Sequence, residues 1–585
     1  MSTAVNADRE FRRTNKILRN KFTRYLFPMF VTMAALSLNE FVDSMLVSRL
    51  LGSEGMATVN LGFPVMLIMS VLYTLFGAGG ATVYAVSLGE RNREKAGKSF
   101  SCAMFMAVCT GIGLLLICTA FFGPLSGLLC ADMEMRPDFE HYFRVLTFSA
   151  PLLVTVLTLT QFLPAAGLPG YTTAVNVVAN AVNIVMDYVY IKFCGMGVEG
   201  AAWATLTGYA CGVLVIVWAL IRKKLKMCVS GKIRASFSTL PEIIRQGGAD
   251  VMSQGGFAIQ IAVCNGIAAS RAGAFGVQAY ALCIQALSVI SVFHGALIGA
   301  YTPMIALLHG QRDYHGEGNM LKLVLKLGTI VGLVVCGAFL IFARPAAALY
   351  NITGPAESSL AVHALRIFSI CLFLRGTIIL YFRYLKVIGR TGYAIFTGAL
   401  DGFLGVIPVV LILTQFIGVN GIWYGYALNA ALALVFVAVC NLIIARRSRG
   451  KLHSVLLLEK ETEHEILLDA TITKDQADIA GISEKLQKIC EANGIDHKDA
   501  ARIGLAVEEM AVFAANTKTQ SSFMDILVWR SEGNIEIDFR SLGEKIDTME
   551  KISEAKEPNL ALLRGISKSV TTEYAMGMNL SHITI

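Results

Sequence analysis

The 585-residue chain is 55% hydrophobic and only 16% charged, with a mean hydropathy of +0.60, whereas a soluble chain carries about 25% charged residues. Its formal net charge of +8 is accounted for by Lys and Arg in the loops that flank apolar runs, which excludes nucleic acid as a partner. Thirteen scattered cysteines, mostly inside those runs and without C-x-x-C pairs, exclude a disulfide framework and a thiolate metal centre.

The first 25 residues are basic, with Arg9, Arg12, Arg13, Lys16, Arg19, Lys21 and Arg24. The apolar run that follows is too long for a signal peptide and lacks a small-residue cleavage site, so it is expected to stay as a membrane anchor. A spanning helix needs about 20 mostly apolar residues. On that criterion the chain holds about 12 spans, near 26–48, 57–87, 98–124, 142–166, 170–192, 199–221, 240–268, 274–302, 320–344, 359–387, 392–416 and 420–444.

The basic loops set the orientation. Arg91, Arg93, Lys95 and Lys98 follow the second span, and Arg222, Lys223, Lys224, Lys226, Lys232 and Arg234 follow the sixth. The loop after the third span is acidic instead, with Asp132, Glu134, Asp138 and Glu140. Both termini are therefore expected in the cytoplasm, as is the stretch Arg446, Arg447, Arg449 and Lys451.

An internal repeat relates the two halves. Gly89-Glu90-Arg91 aligns with Gly310-Gln311-Arg312, and Gly197-Val198-Glu199-Gly200 with Gly418-Val419-Asn420-Gly421, both at an offset of 221. Gly167-Leu168-Pro169-Gly170-Tyr171 aligns with Gly389-Arg390-Thr391-Gly392-Tyr393 at 222. Each half holds an even number of spans, so the repeat is parallel and its axis is expected along the membrane normal, with a cavity between two six-helix lobes. The expected fold is an all-α polytopic membrane protein with a small C-terminal α/β domain. Its divisions are 1–25, the N-lobe 26–222, a linker 223–239, the C-lobe 240–446, a second linker 447–464 and a cytoplasmic domain 465–585.

An ionisable group at bilayer depth costs about 2.5–3.5 kcal/mol on insertion scales, so each needs a partner, a water-filled cavity or a task. In the first span Glu40 and Asp43 share one helix face, beside Asn39. In the fifth, Asn176, Asn180, Asn183 and Asp187 make a polar stripe. Two carboxylates among amide and hydroxyl oxygens suit a proton or a hard cation such as Na⁺. The plainer reading of the asparagines is helix-to-helix hydrogen bonding. In the C-lobe Asp401 is the one deep acid, either ion-paired with Arg375 or Arg383 or active in transport. Asp250 lies near one end of its span.

These residues bring the chain, over about 20–446, into resemblance with the MATE (multidrug and toxic compound extrusion) transporters. The resemblance is carried by Phe41-Val42-Asp43, Leu51-Gly52, Ala166-Gly167-Leu168-Pro169, Asn183-Ile184-Val185-Met186-Asp187 and the segment Gly197 to Thr205. It implies exchange of Na⁺ or H⁺ for small organic, often cationic, compounds by alternating access. It places the cation site on Asp43, Asn183, Asp187 and Thr205, with Glu40, Asn180 and Asp401 as further candidates. The chain departs from many relatives in having Leu163-Pro164-Ala165 where they carry an arginine, and its C-lobe lacks a second acid-bearing site.

Residues 465–585 read as a strand at 466–472, helices at 474–492 and 497–515, strands at 524–530 and 535–540, a helix at 560–568 and closing strands. This segment resembles the histidine-kinase-like ATPase fold of anti-sigma-factor kinases, through Ile503-Gly504-Leu505-Ala506-Val507-Glu508-Glu509. Phe513 stands where that fold needs an Mg²⁺-holding asparagine, Ser541 where it needs the adenine-binding aspartate, and Asn559-Leu560-Ala561-Leu562 where it needs lid glycines. A degenerate regulatory domain, open to a cytoplasmic protein partner, is expected rather than a kinase. His464 reads as a solvated linker residue.

The chain is thus expected to be a cell-membrane antiporter for xenobiotic-like organic compounds, not an enzyme, with no cofactor and with lipid around it. The alternatives are a flippase for lipid-linked intermediates, which needs a more cationic cavity, and a membrane sensor with a kinase-like tail.

Overall fold

A computed structural model describes residues 13–585 except 131, 133, 223–226, 351, 353, 449–451, 454–455, 460–464, 517–518, 532–533 and 544–557. Arg9, Arg12, Lys223, Lys224, Lys226, Arg449, Lys451 and His464 lie outside the described residues, as do the side chains of Asn559, Leu560 and Ala561. The chain divides into a membrane unit, 24–313 with 320–440, and a tail unit that joins 441–585 to the chain before residue 24 and to Tyr314–Asn319.

Eleven helical stretches among the described residues are long and apolar enough to span a bilayer. They are α1 (Lys16–Gly52), α2 (Glu54–Gly89), α3 (Arg93–Ala120), α4 (Arg136–Ala165), α5 (Pro169–Phe193), α6 (Gly197–Ile221), the long stretch Ile233–Gly310, α9 (Tyr314–Leu349), α10 (Pro355–Val387), α11 (Thr391–Ile417) and α12 (Asn420–Arg447). The 78-residue stretch breaks at Ala272 and Gly273, where the backbone leaves helical geometry. A Cβ added to Gly276 would lie 2.5 Å from the Ala268 carbonyl oxygen. Residues eight apart in a straight helix are separated by about 12 Å along the axis, so the chain turns back here. The arms 233–271 and 274–310 are α7 and α8, and twelve passes result.

Helical backbone is forced by the solvent: in hydrocarbon each N–H and C=O must find its partner inside the segment. Between spans the chain reverses at left-handed residues, and these repeat. Gly52 and Gly273, Arg91 and Arg312, and Gly197 and Gly418 have positive φ at an offset of 221, and Gly167 and Gly389 at 222. The first of these pairs extends the repeat read from sequence.

The symmetry also shows in packing. Gly89 at the end of α2 and Gly310 at the end of α8 occupy matching positions and touch one another. A Cβ on either would sit 2.9 Å from the other's Cα and collide with a carbonyl oxygen, Leu307 O in one case and Val86 O in the other. A residue meeting its own repeat equivalent marks the pseudo-twofold axis. The halves meet again where Gly79 of α2 crosses Ile243 and Gly247 of α7. Each half keeps its own apolar core, around Phe139, Tyr142 and Phe143 in the first and Tyr280, Phe368 and Tyr426 in the second.

The tail unit contains a two-stranded ribbon, β1 (Leu452–His453) and β2 (Leu458–Glu459), then β3 (Glu465–Thr473), α13 (Gln476–Ala492), α14 (His497–Asn516), β4 (Thr519–Ser531), β5 (Asn534–Gly543), α15 (Pro558–Ile566), β6 (Ser569–Ala575) and β7 (Met578–Thr584). The last five strands form an antiparallel sheet in the order β3-β4-β5-β7-β6. Strand alternation sends Ala470, Ile472, Met524 and Ile526 into a core shared with Ile482, Leu486, Val507 and Met510 of the helices. It turns Asp469, Thr471 and Asp525 to the other face. Asp475 caps α13 by accepting from the Ala477 N–H at 3.3 Å.

Candidate functional site

The four residues that carry the expected cation site come together in the first half. Asp43 of α1 lies beside Asp187 of α5, each the other's nearest charged neighbour. Asp187 is fully buried, and neither of its carboxylate oxygens has a hydrogen-bond donor among the described residues. Asn183, one helical turn before it, donates from Nδ2 to the Thr205 hydroxyl of α6 at 3.3 Å. That hydroxyl is itself anchored by donating to Ala201 O at 3.1 Å.

This geometry follows from close packing of α5 on α6. A Cβ on Gly208 would collide with the Ala179 carbonyl oxygen and lie 3.1 Å from the Asn183 Cβ, so only glycine lets the two backbones approach enough to pair Asn183 with Thr205. The result is a cluster of oxygens with two adjacent carboxylates. Two such groups facing one another away from water need a proton or a metal cation between them. Tyr142 of α4, 1% exposed, faces both acids. It was not anticipated, since an aromatic residue in an apolar run reads as packing.

The other stripe residues divide. Asn180 is buried with its Nδ2 lacking an acceptor among the described residues. Asn176 donates to Thr172 O at 2.8 Å along its own helix and faces a cavity of about 380 Å³ between the halves. Glu40 lies on the wall of that cavity, apart from the Asp43–Asp187 pair, with Tyr73, Gln161 and Tyr209. Met29 and Met33 line the same wall.

Asp401 sits in the second half and accepts from Arg375 Nε at 2.8 Å, with both groups buried. Of the two partners open to it, Arg375 is therefore the one it meets. Arg383 turns instead to Asp250: its Nη1 lies 2.6 Å from Asp250 Oδ1, and Lys386 Nζ lies 2.6 Å from Oδ2. Sequence reasoning placed Asp250 near a span end and did not single out Lys386. The only hint was that Arg383 and Lys386 are three apart on one helix, a spacing that puts both on one face.

A twelve-pass bundle of two repeated halves, with an acid-bearing site in one half and a cavity between the halves, is the architecture of a secondary transporter. Residues 28–189 match the MatE family model. The chain is similar to the multidrug export protein MepA of Staphylococcus aureus (strain MRSA252), 22% identical over 408 residues covering 70% of this chain and 89% of the relative. It is similarly related to MepA of Staphylococcus haemolyticus, at 21% over 410 residues and the same coverages. Among solved structures it resembles an outward-facing multidrug resistance MATE family transporter of the MOP superfamily, with a TM-score of 0.68 and 21% identity over 73% of this chain and 95% of the other. A MOP superfamily transporter from Pyrococcus furiosus matches with a TM-score of 0.66 and 22% identity over 71% and 93%. The membrane part of the chain is thus similar to MATE transporters in sequence and fold, and the relatives it matches are transporters rather than enzymes.

Proposed function

We propose that the chain is a multidrug efflux antiporter of the cell membrane, driven by Na⁺ or H⁺ through Asp43, Asn183, Asp187 and Thr205, and that its tail regulates transport. The observation that supports the coupling site is the carboxylate pair, in which Asp187 is fully buried. Asp187 has only acceptors to offer, its closest charged neighbour is another acid, and the pair lies outside the cavity that would hold substrate. A cation or proton entering this site changes how α1 packs on α5, and α1 also lines the cavity through Met29, Met33 and Glu40. That shared helix links the ion to the substrate. Flux of an organic dye in vesicles, under imposed Na⁺ and pH gradients, tests the reading. Asp43→Asn and Asp187→Asn are expected to remove gradient-driven flux, and either variant keeping it would sink the mechanism.

The regulatory role rests on contacts within the tail unit. The sheet face opposite the helices holds the chain just ahead of the first span. The Arg13 side chain is 3% exposed, 3.7 Å from Asp469 and 4.0 Å from Asp525. The Thr14 N–H donates to Thr471 Oγ1 at 2.9 Å, and Lys16 lies over the Phe523 ring. His315, at the start of α9, approaches Asp469 at 3.1 Å. One sheet thus grips the entry points of helices from both halves. The likeness to a histidine-kinase-like domain that has lost nucleotide binding fits Phe513, which is packed in the domain core.

A further inference from the structure

The charges of the central cavity do not match a site for simple cations. Asp250 on α7 is buried and has each carboxylate oxygen taken by a different cation, Arg383 through Nη1 and Lys386 through Nζ. Two positive groups against one negative leave the cluster with one excess positive charge. Lys386 is 1% exposed and spent on Asp250, but Arg383 keeps a quarter of its side chain accessible, and both residues lie on the cavity wall. Beyond Asp250, the guanidinium has no protein acceptor among the described residues; the Phe382 ring lies 5.8 Å away, and Tyr301 and Lys386 are also near it. Across the cavity, Glu40 has no ion-pair partner among the described residues.

An excess cation beside a cavity and an unpaired carboxylate on another wall together make a dipolar site. On the wall of such a cavity each of these charges is matched by a ligand group of opposite sign. We infer that this cavity takes amphiphiles carrying both a cationic centre and an anionic group, a carboxylate or a phosphate, with the anionic group on Arg383 and the cationic centre toward Glu40. The inference rests on reading the cavity as the substrate site and narrows the substrate class. Arg383 is suited to the task because a planar guanidinium can hold Asp250 on one edge and present another edge to a carboxylate or phosphate. The Asp250–Lys386 contact fixes the near side of that arrangement.

The test needs no gradient, so it stands apart from the coupling mechanism. The purified full chain in a non-ionic detergent is titrated by fluorescence polarisation with two xanthene dyes that share one ring system, rhodamine 6G, whose carboxyl is esterified, and rhodamine 19, whose carboxyl is free. The free acid is expected to bind about tenfold more tightly, the scale of one hydrogen bond to a charged group. Arg383→Gln is expected to remove that ratio and Arg383→Lys to restore part of it. Retained binding of rhodamine 6G by Arg383→Gln, with partial recovery of the ratio in Arg383→Lys, separates loss of this one contact from a general loss of fold. Competition with a short-chain phosphatidylcholine identifies the source. Displacement of rhodamine 19 makes the ligand a lipid headgroup, and binding without displacement makes it a soluble amphiphile. Equal binding of ester and acid by the unaltered chain, binding of neither, or a preference that survives Arg383→Gln would overturn the proposal. Gradient-driven flux that persists alongside any of these results would leave the transporter reading intact.

Discussion

Replacing Arg375 and Asp401 with leucine, singly and together, separates a structural ion pair from a transport group. The two groups lie 2.8 Å apart and are each 8% exposed. At that distance and an effective dielectric of about 20 their attraction is roughly 6 kcal/mol, against desolvation of several kcal/mol for each ion. The intact pair therefore contributes little net stability, while either single change strands a buried charge at a cost of about 3–5 kcal/mol. The stranding is most severe for Asp401→Leu, because Arg375 Nη1 already lacks an acceptor among the described residues. Thermal unfolding in detergent should place both single variants well below the parent and return the double variant most of the way. Dye flux measured on the same three proteins decides the role. A double variant that is stable and transports shows that Asp401 serves packing alone. A double variant that is stable but has lost gradient-driven flux would refute that reasoning and assign Asp401 to transport. A double variant no more stable than the singles would refute the energy argument itself.

Gly89→Val and Gly310→Val should each force α2 and α8 apart, with an overpacking cost of about 1–3 kcal/mol. Cross-linking yields between cysteines placed on the two helix ends should fall for both variants, and unchanged yields would contradict the crossing. Arg13→Ala should free the segment before α1 from the tail, through loss of its buried ion pairs with Asp469 and Asp525. Hydrogen exchange at residues 13–23 should speed up while exchange in the core of the tail stays as it was. Phe513→Asn, which restores the residue type needed to hold Mg²⁺, should yield no nucleotide binding in the full chain. Because Phe513 is 3% exposed in the tail core, the change should instead lower stability by about 3–5 kcal/mol, seen as earlier unfolding of the tail.

The paired acids could be read in the sequence because bilayer surroundings make acids rare. Asp43 and Asp187 stand out in apolar runs, and the helical spacing of Asn180, Asn183 and Asp187 puts them on one face without knowledge of the fold. The repeat was equally open, through glycines whose left-handed backbone marks the same turn in each half. Partnerships across distant helices left no comparable mark. Asp250 and Lys386 are 136 positions apart, and each sits near a span end where a charge ordinarily reads as solvated. Arg13 likewise reads as one more basic flank residue, and nothing in its neighbours announces Asp469 or Asp525. Periodicity reports which face a residue occupies, not what the fold brings to that face.

That difference bears on function. The Asp43–Asp187 pair lies in one half, and the Arg383–Lys386–Asp250 cluster joins two helices of the other, so the halves have diverged in chemistry while retaining matched turns. Asp401 occupies the repeat position of Asn180 yet is tied to Arg375. The deep acid of that half is therefore held in a fixed pair. The glycine crossing of α2 and α8 lies on the pseudo-axis, where the backbones of the two halves touch. Within the tail unit, one sheet holds both the chain before α1 and the start of α9, one helix entry from each half.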